Sequence, residues 1–437
     1  MLAGVILVIA YVIIVTSPLL LVTALHLHSP NELLYEIARS FGLSAFAILC
    51  LQTVLAARLK WIERPFGMDI LSRFHRFMGI FVAILLLSHP PLLALGGGGW
   101  PLITSLEEPW YIWLGKLGLL ALVIHICISV FSSRLGLTFE QWRRIHTIMA
   151  PLIILLVFVH SWETGDDLKE LPVRGLWITF ALASLSAYTY HKIVKPALLS
   201  HHPYRVVEVK REIHNVWTVK LAPPEGEVIY DYYPGQFHFI TFRRGGGLPV
   251  EEHHWTISSS PAQKEFICST IKESGDFTST IGLTKLGDKA VVQGPFGRFS
   301  HVLHPEDKEM VFIAGGIGVT PFMGMLRYMR DTEADLRVLV LYANRSERDI
   351  TFRDELAKIE AGERPRLTVV HVLSNPGADW AGEKGYVDRD KMERHVGTVG
   401  GKAFYVCGPP PMSAKIIETL LTMGVPYNRI RTEIFSL

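Results

Sequence analysis

Apolar residues dominate the first 195 positions and fall into six long runs, each of the length that an α-helix needs to cross a bilayer. The runs cover approximately residues 3–25, 38–57, 74–95, 111–131, 145–162 and 174–194. The first run starts almost at Met1 with no basic segment before it, so we expect a retained helix and not a cleaved signal peptide. The pattern predicts six transmembrane helices.

The loops between these runs differ in charge, and the difference predicts an orientation. One set of loops carries Arg58, Lys60, Arg64, Arg73, Arg76, Arg134, Arg143, Arg144, Lys192 and Lys195. The other set carries Glu32, Glu36, Glu107, Glu108, Glu163, Asp166, Asp167 and Glu170. Because basic loops stay in the cytoplasm, we expect a plasma-membrane protein with both termini and all residues after 195 inside. The outer loops lack Asn-x-Ser/Thr, which fits a bacterial membrane.

Two of the apolar runs carry histidines at the same spacing. One segment, HRFMGIFVAILLLSH, begins at His75 and ends at His89, and the other, HTIMAPLIILLVFVH, begins at His146 and ends at His160. On an α-helix this spacing rises about 21 Å and returns the second side chain to within about 40° of the first. We therefore expect two imidazoles on one face of each helix, with His75 opposite His146 and His89 opposite His160.

Two facing imidazoles are the axial ligands that a six-coordinate haem iron needs. Ionisable residues inside membrane segments are functional candidates, and the repeated spacing argues against purely structural histidines. The pattern predicts two haems stacked across the membrane, an inner one on His75 and His146 and an outer one on His89 and His160. His125 has no partner at this spacing, and we interpret it as structural or as a neighbour of the ligands.

The pattern changes near residue 200, where alternating segments such as 204–210 and 216–221 predict strands. From Met310, continuous apolar strands alternate with amphipathic helices, which is typical of a doubly wound nucleotide-binding domain. The predicted architecture is a six-helix transmembrane bundle (1–197), an antiparallel β-barrel (198–305) and an α/β doubly wound domain (306–437). The formal charge of +2 indicates no nucleic-acid partner. The four scattered cysteines indicate no disulfide framework.

Glycine-rich turns mark the nucleotide edge of this α/β domain. The first turn contains Gly315, Gly316, Gly318, Thr320 and Pro321. It joins a strand to a helix, where glycines let the backbone approach a pyrophosphate and the helix N-terminus offers N–H groups. A plain tight turn is the alternative. The second turn contains Cys407, Gly408 and Pro409. It ends a later strand, at the edge where open α/β sheets bind ligands.

Upstream segments have the residue types that a flavin needs, namely a stacking face, a hydroxyl donor and phosphate partners. The segment HHWTISS contains His253, Trp255, Thr256 and Ser258. The loop IKESGDFT contains Lys272, Gly275, Phe277 and Thr278, and its amides could face a phosphate. A strand with an exposed aromatic residue and an ordinary turn are the alternatives.

Together these motifs resemble the NADPH oxidase and ferric reductase family, in which a ferric-reductase transmembrane domain is fused to a ferredoxin-reductase-like dehydrogenase. The resemblance covers essentially the whole chain. It implies b-type haems on the four histidines, FAD on the segments above and pyridine nucleotide on the two glycine-rich turns. His254 and Trp255 replace the Pro and Phe of the family's His-Pro-Phe-Thr motif, and Gln293 replaces an acid. The aromatic residue that covers the flavin in this family corresponds to Phe435.

The family also has an arginine pair that Arg39 and Arg58 match in spacing. The resemblance places Arg39 near the outer haem and the acceptor, while an interfacial anchor is the alternative. After the strand ending at Tyr342, Arg345 or Arg348 could pair with the 2′-phosphate of NADPH, with Glu347 as a competitor. We expect NADPH as the donor, with NADH as a second option.

The resemblance implies a transmembrane oxidoreductase that passes electrons from NADPH through FAD and two haems to dioxygen outside, producing superoxide. Because both irons would have two protein ligands, dioxygen is expected to react without binding to iron. Reduction of an Fe(III) chelate and electron donation to a membrane partner or quinone are the alternatives, and the short outer loops favour dioxygen. No obligate protein partner is indicated.

Overall fold

The computed structural model describes residues 2–25 and 33–433, and the chain divides into two compact units, Met1–Ala197 and Leu198–Leu437. The α-helices before the first strand are α1 (Leu2–Ala24), α2 (Leu33–Ala56), α3 (Lys60–Phe66), α4 (Met68–Leu93), α5 (Pro101–Thr104), α6 (Trp110–Phe131), α7 (Phe139–Thr164), α8 (Leu171–Thr189) and α9 (Lys195–His201). Short π-helical turns cover Ala94–Gly98 and Tyr190–Val194, and a 3-10 turn covers Asp166–Lys169.

Five of the described helices are long and apolar enough to cross a membrane: Leu2–Ala24, Leu33–Ala56, Met68–Gly98, Trp110–Phe131 and Phe139–Thr164. The sixth predicted run forms α8, which is 19 residues long and includes Arg174, Ser184 and Ser186. It is not among the described helices that meet this length and composition. The predicted number of six spans is therefore not confirmed.

The helical unit is built on two packed helix pairs, α2 with α4 and α6 with α7. Helix α8 packs against α2, where the rings of Phe46 and Trp177 stack with centroids 4.7 Å apart. Thr53 donates a hydrogen bond to Ser184 across the same interface, at 2.9 Å. Hydroxyl pairs of this kind hold helices together where the surroundings offer no other polar partner.

The two histidine-bearing helices begin at well-defined positions. Helix α7 begins after Thr138, which forms a capping box with Gln141, and the first histidine of α7 lies two turns further on. Helix α4 begins after Gly67 and continues through Pro90 and Pro91. It is interrupted only in the following glycine run, where Gly97 has a φ of 106° that favours glycine.

The first sheet has six antiparallel strands. They are β1 (Tyr204–Ile213), β2 (Val216–Ala222), β3 (Phe237–Arg243), β4 (Glu252–Thr256), β5 (Ile267–Lys272) and β6 (Lys289–Phe296), in the order β4-β3-β6-β1-β2-β5. The two ends of this order approach each other at a bridge between Ile257 and Ser269. Its core includes Val219, Phe242 and Ile271.

The second sheet is parallel. Its strands are β7 (Glu309–Gly315), β8 (Arg337–Asn344), β9 (Arg366–Leu373), β10 (Glu383–Lys384), β11 (Ala403–Cys407) and β12 (Ile430–Glu433), in the order β10-β9-β8-β7-β11-β12. The helices of this region are α10 (Thr320–Asp331), α11 (Arg353–Glu360), α12 (Arg389–Val396) and α13 (Pro410–Thr422). The strand order reverses between β7 and β11, so this is the doubly wound arrangement expected from the sequence.

Candidate functional site

The four predicted ligand histidines lie as two pairs on α4 and α7. In the first pair, the rings of His75 and His146 have centroids 6.1 Å apart and an interplanar angle of 61°. This separation is of the size set by two metal–imidazole bonds of about 2 Å each plus the radius of each ring. Beyond this pair, α4 and α7 share a core that includes Val82 and Ile153, and His89 and His160 lie at the next predicted position on each helix. The pairing matches the depths expected from the helix period.

A packed apolar layer separates the two pairs. Val82 lies midway between the histidines of α4 and is 1% exposed, while Ile153 lies midway between those of α7 and is 2% exposed. Ile153 is the only buried residue of α7, and all four histidines are only half-buried. The structure therefore has two open levels at the histidines with hydrocarbon between them.

The two pairs differ at Nδ1. In the second pair, Nδ1 of His89 lies 2.7 Å from the carbonyl oxygen of Ala38, and Nδ1 of His160 lies 2.9 Å from that of Tyr111. A carbonyl can only accept, so each Nδ1 carries the proton and each Nε2 keeps the lone pair that a metal needs. In the first pair, Nδ1 of His75 and of His146 is buried without a hydrogen-bond partner among the described residues.

Two polar side chains accompany the first pair. The ring of His125 lies 4.5 Å from the ring of His146, centroid to centroid. Gln52 Nε2 donates to the backbone carbonyl of His75 at 3.1 Å. The structure thus places His125 beside a predicted ligand, which was one of the two interpretations that its sequence position allowed.

Arg39 lies next to Ala38, which accepts the hydrogen bond of His89. Its Nε is 2.9 Å from Asp167 Oδ2 and its Nη1 is 2.9 Å from Glu36 Oε1. The Arg39 side chain is 16% exposed, so it is held within the bundle by two carboxylates. Burial raises the pKa of Asp167 although the charge of Arg39 opposes the shift.

Three of the predicted flavin residues come together on one face of β4. The ring of His253 is 5.5 Å from Trp255 and 4.3 Å from Phe277, and Trp255 is 5.9 Å from Phe277, all between centroids. The guanidinium of Arg244 lies over the Phe277 ring at 4.7 Å. His254 is on the opposite face, 5.8 Å from Phe237. The motif therefore offers one aromatic surface with imidazole at its edge.

Other predicted flavin residues have partners within the protein. Thr256 is buried, and the fully buried Ser258 hydroxyl lies 2.9 Å from Thr270 Oγ1. Lys272 is exposed at the end of β5. The loop amides expected to face a phosphate are already bonded, because the N–H groups of Ser274 and Gly275 donate to Thr278 Oγ1 at 2.8 and 3.0 Å. Phe435 lies outside the described residues.

The two glycine-rich turns meet at the point where the strand order reverses. A Cβ added at Gly315 would be 3.3 Å from Gly408 Cα, and one added at Gly318 would be 2.7 Å from the carbonyl carbon of Cys407. Gly316 has a φ of 53° and open space where its Cβ would be. The two turns therefore pack backbone against backbone at Gly315 and Gly318. The backbone at Gly316, in the first turn, is uncovered.

Residues around these turns complete the edge. Thr320 and Pro321 begin α10, and Thr320 Oγ1 donates to Ile317 at 3.0 Å. Pro409 precedes α13. Cys407 is fully buried, and burial raises the pKa of its thiol well above the ordinary value, which keeps the thiol neutral.

The loop after β8 presents the two predicted specificity residues. Arg345 and Arg348 are both exposed. Between them, the carboxylate of Glu347 accepts the N–H of Gly377 at 3.0 Å, so this acid is engaged by the neighbouring loop.

Sequence reasoning missed Arg327 on α10. Its Nη1 donates to the carbonyl of Ser258 at 2.5 Å, and its Nε and Nη2 bind both oxygens of Glu355. No sequence signal distinguishes this arginine from a solvated one, because Ser258 and Glu355 are distant in the chain. Arg327 therefore connects Ser258 of the flavin motif with α10, the helix that follows the first glycine-rich turn.

Two family models match the chain. Residues 41–157 match the ferric reductase like transmembrane component, and residues 312–417 match the oxidoreductase NAD-binding domain. The first range includes three of the four paired histidines, His75, His89 and His146. The second range contains both glycine-rich turns.

Curated relatives match about half of the chain. The glycine betaine monooxygenase reductase subunit of Chromohalobacter salexigens is 30% identical over 242 residues, covering 54% of this chain and 64% of that protein. The NADH-cytochrome b5 reductase 2 of Mus musculus is 26% identical over 239 residues, covering 48% of this chain and 86% of that protein. The chain thus spans less than two thirds of the length of the first of these relatives.

A solved structure extends the likeness of fold. The flavohemoglobin from Malassezia yamatoensis aligns with a TM-score of 0.50 and 16% identity, over 92% of this chain and 96% of that one. At this identity the likeness concerns the fold alone. The two family models together match the arrangement of an NADPH oxidase/ferric reductase-like fusion, in which a ferric reductase-like transmembrane component is followed by an oxidoreductase NAD-binding domain.

Proposed function

We propose that this protein moves electrons from cytoplasmic NADPH across the plasma membrane to dioxygen and releases superoxide on the outer face. The work is divided among a transmembrane di-haem domain (1–197), an FAD domain (198–305) and an NAD(P)H domain (306–437). The observation that carries the proposal is the pair of histidine levels on α4 and α7, in a chain that also has a nucleotide edge. The basic loops support the cytoplasmic position of residues after 195.

The histidine levels fit two haem groups. The rings of His75 and His146 are 6.1 Å apart, and their Nδ1 atoms have no partner in the part of the chain that the structure describes. His89 and His160 each donate Nδ1–H to a helix carbonyl. The four imidazoles would hold one haem at each level, with two histidines for each group. The half-buried rings leave room beside them, while Val82 and Ile153 keep the levels apart.

The second unit fits FAD and a pyridine nucleotide. Trp255 offers a stacking face with His253 at its edge, and the uncovered turn at Gly316 offers backbone to a pyrophosphate. When bound, FAD supplies conversion of a two-electron hydride into single electrons, and b-type haems supply one-electron carriers. The matched relatives are named as reductases, one of them an NADH-cytochrome b5 reductase, which supports pyridine nucleotide as the donor.

The acceptor is assigned from the second histidine pair. His89 and His160 would hold the haem at this level, and the protein would then supply both ligands of its iron and leave none open to an acceptor. A small neutral molecule needs no binding site of its own, which favours dioxygen over a chelate. Arg39 lies beside Ala38 at this end of the bundle, where it is paired with Glu36 and Asp167.

The decisive measurement compares acceptors with the full chain in detergent or vesicles. Under air, NADPH should drive cytochrome c reduction that superoxide dismutase abolishes. Without oxygen, the same protein is assayed with an Fe(III) chelate. Rapid anaerobic chelate reduction with no dismutase-sensitive signal under air would assign a ferric reductase instead.

A third outcome distinguishes electron donation to a membrane partner from oxidase and ferric reductase activity. If NADPH reduces the bound cofactors but neither acceptor is reduced, addition of a quinone should restore turnover in that case only. His160→Ala is the matched control, because it removes a ligand of the outer level and leaves the nucleotide edge unchanged.

A further inference from the structure

Two glycines lie against the imidazoles of the second histidine pair. A Cβ added at Gly42 would be 3.1 Å from Cε1 and 3.3 Å from Nδ1 of His89. A Cβ added at Gly115 would be 2.6 Å from Cε1 and 2.7 Å from Nδ1 of His160. Contacts this close are prohibitive at Gly115 and tight at Gly42, so the rings occupy space that a side chain would fill.

Each glycine also uncovers a hydrogen-bond acceptor. His89 donates to the carbonyl of Ala38, four residues before Gly42, and His160 donates to that of Tyr111, four residues before Gly115. In an α-helix the carbonyl of residue i lies beside residue i+4 on the same face. Removing the side chain at i+4 therefore lets a neighbouring ring reach the carbonyl.

The same arrangement of glycine, carbonyl and histidine occurs in both packed helix pairs. Helix α2 presents Gly42 to α4, and ten residues later Gln52 donates to the backbone of His75. Helix α6 presents Gly115 to α7, and ten residues later His125 lies 4.5 Å from His146. Each helix thus places a glycine at one histidine and a polar side chain at the other.

We propose that Gly42 and Gly115 are positioning residues for the second haem site. Each glycine leaves room for one imidazole to donate its Nδ1–H to a helix carbonyl. This hydrogen bond fixes the ring plane and leaves Nε2 free to bind the iron. The first site is held differently, because Nδ1 of His75 and of His146 has no partner among the described residues. The inference rests on the proposed function, since it assumes that these histidines bind haem.

The test uses the full chain purified in detergent, with three single variants. Gly115→Ala and Gly42→Ala place a methyl group against His160 and His89. Gly118→Ala is the matched control on α6, because its Cβ would be 3.4 Å from Leu156 and Val157, an ordinary contact. The measurements are haem per chain by pyridine haemochrome and the low-spin ferric signals by electron paramagnetic resonance.

We expect Gly115→Ala to shift the g-values of one of two low-spin signals or to lose up to one haem per chain. The other signal should stay at its wild-type position. Gly42→Ala should affect the same signal to a smaller extent, and Gly118→Ala should match the wild type. Two unchanged signals in Gly115→Ala would overturn the inference.

A second comparison keeps the test valid if Gly115→Ala is poorly expressed. In a His160→Ala background the ring is gone, so adding Gly115→Ala should cause no further loss of haem or protein yield. A further loss would show that the glycine acts elsewhere and would overturn the inference. A wild-type chain without haem would reject the proposed function itself, whereas two haems with insensitive glycine variants would reject only the positioning role.

Discussion

Arg327 and Glu355 form a two-pronged ion pair in which Nε lies 2.8 Å from Oε1 and Nη2 lies 2.6 Å from Oε2. Burial alone would raise the pKa of Glu355, but the hydrogen bonds and charge of Arg327 outweigh it and hold that pKa below its ordinary value. The remaining guanidinium nitrogen of Arg327, Nη1, donates to the carbonyl of Ser258, two residues after Thr256. The pair therefore links the flavin segment to the helix that starts at the nucleotide turn.

The first prediction concerns this link. Arg327→Lys keeps the charge but loses the fork geometry, so it should slow flavin reduction by saturating NADPH while changing the nucleotide KM little. Stopped-flow absorbance of the flavin measures the rate. Arg337→Ala is the control, because its exposed pair with Glu309 is worth about 0–1 kcal/mol. Equal rates of flavin reduction in Arg327→Lys and the wild type would show that Arg327 does not position the flavin segment.

The second prediction concerns haem number. The wild-type chain should bind two b-type haems, and His89→Ala or His160→Ala should leave one, with flavin reduction intact. The reason is that either change removes one of the two imidazoles of the outer level and leaves both imidazoles of the inner level in place. Pyridine haemochrome analysis gives the count. A wild-type value of one haem per chain would contradict the model of two sites.

The third prediction concerns the turn-to-turn contact. Gly318→Ala would place a Cβ 2.7 Å from the carbonyl carbon of Cys407, and backbone on both sides leaves little room for relief. We expect at least about a tenfold loss of NADPH affinity, or about 1.4 kcal/mol. Nucleotide titration of flavin fluorescence measures it. Gly400→Ala, which meets nothing within 4 Å, should bind as the wild type does. Unchanged affinity in Gly318→Ala would separate this turn from the nucleotide.

The fourth prediction concerns the choice of nucleotide. Arg345→Ala should lower kcat/KM for NADPH by about tenfold and leave NADH unchanged, because a charge-assisted contact to the 2′-phosphate is lost. Lys358→Ala on α11 removes one exposed positive charge elsewhere in the same domain and should change neither value. Similar kcat/KM for both nucleotides, unaffected by Arg345→Ala, would refute the assignment.

The proximity of His75 and His146 could be predicted from sequence because it depends only on the helix period and on two segments of equal spacing. The doubly wound domain was predictable for a similar reason, since continuous apolar strands and glycine-rich turns are local signals. The role of the histidines as haem ligands stays a prediction.

The roles of Gly42 and Gly115 could not be predicted, because they depend on which helices pack together. The same holds for Arg327, whose partners lie far away in the chain. The side chain of Thr278 captures loop amides that the motif alone leaves open. Helix α8 shows a further limit, since its apolar run predicted a sixth span that the described residues do not confirm.

The packed layer at Val82 and Ile153 has an electrical consequence. Hydrocarbon between the two histidine levels is a poor medium for ions, so an electron that crossed it on the proposed path would move without a compensating charge at that depth. Carrying one elementary charge across a full membrane potential of 100 mV involves about 2.3 kcal/mol. Turnover in a sealed membrane should therefore generate a voltage that opposes further transfer, and sustained activity should depend on a separate route for returning positive charge to the outer side.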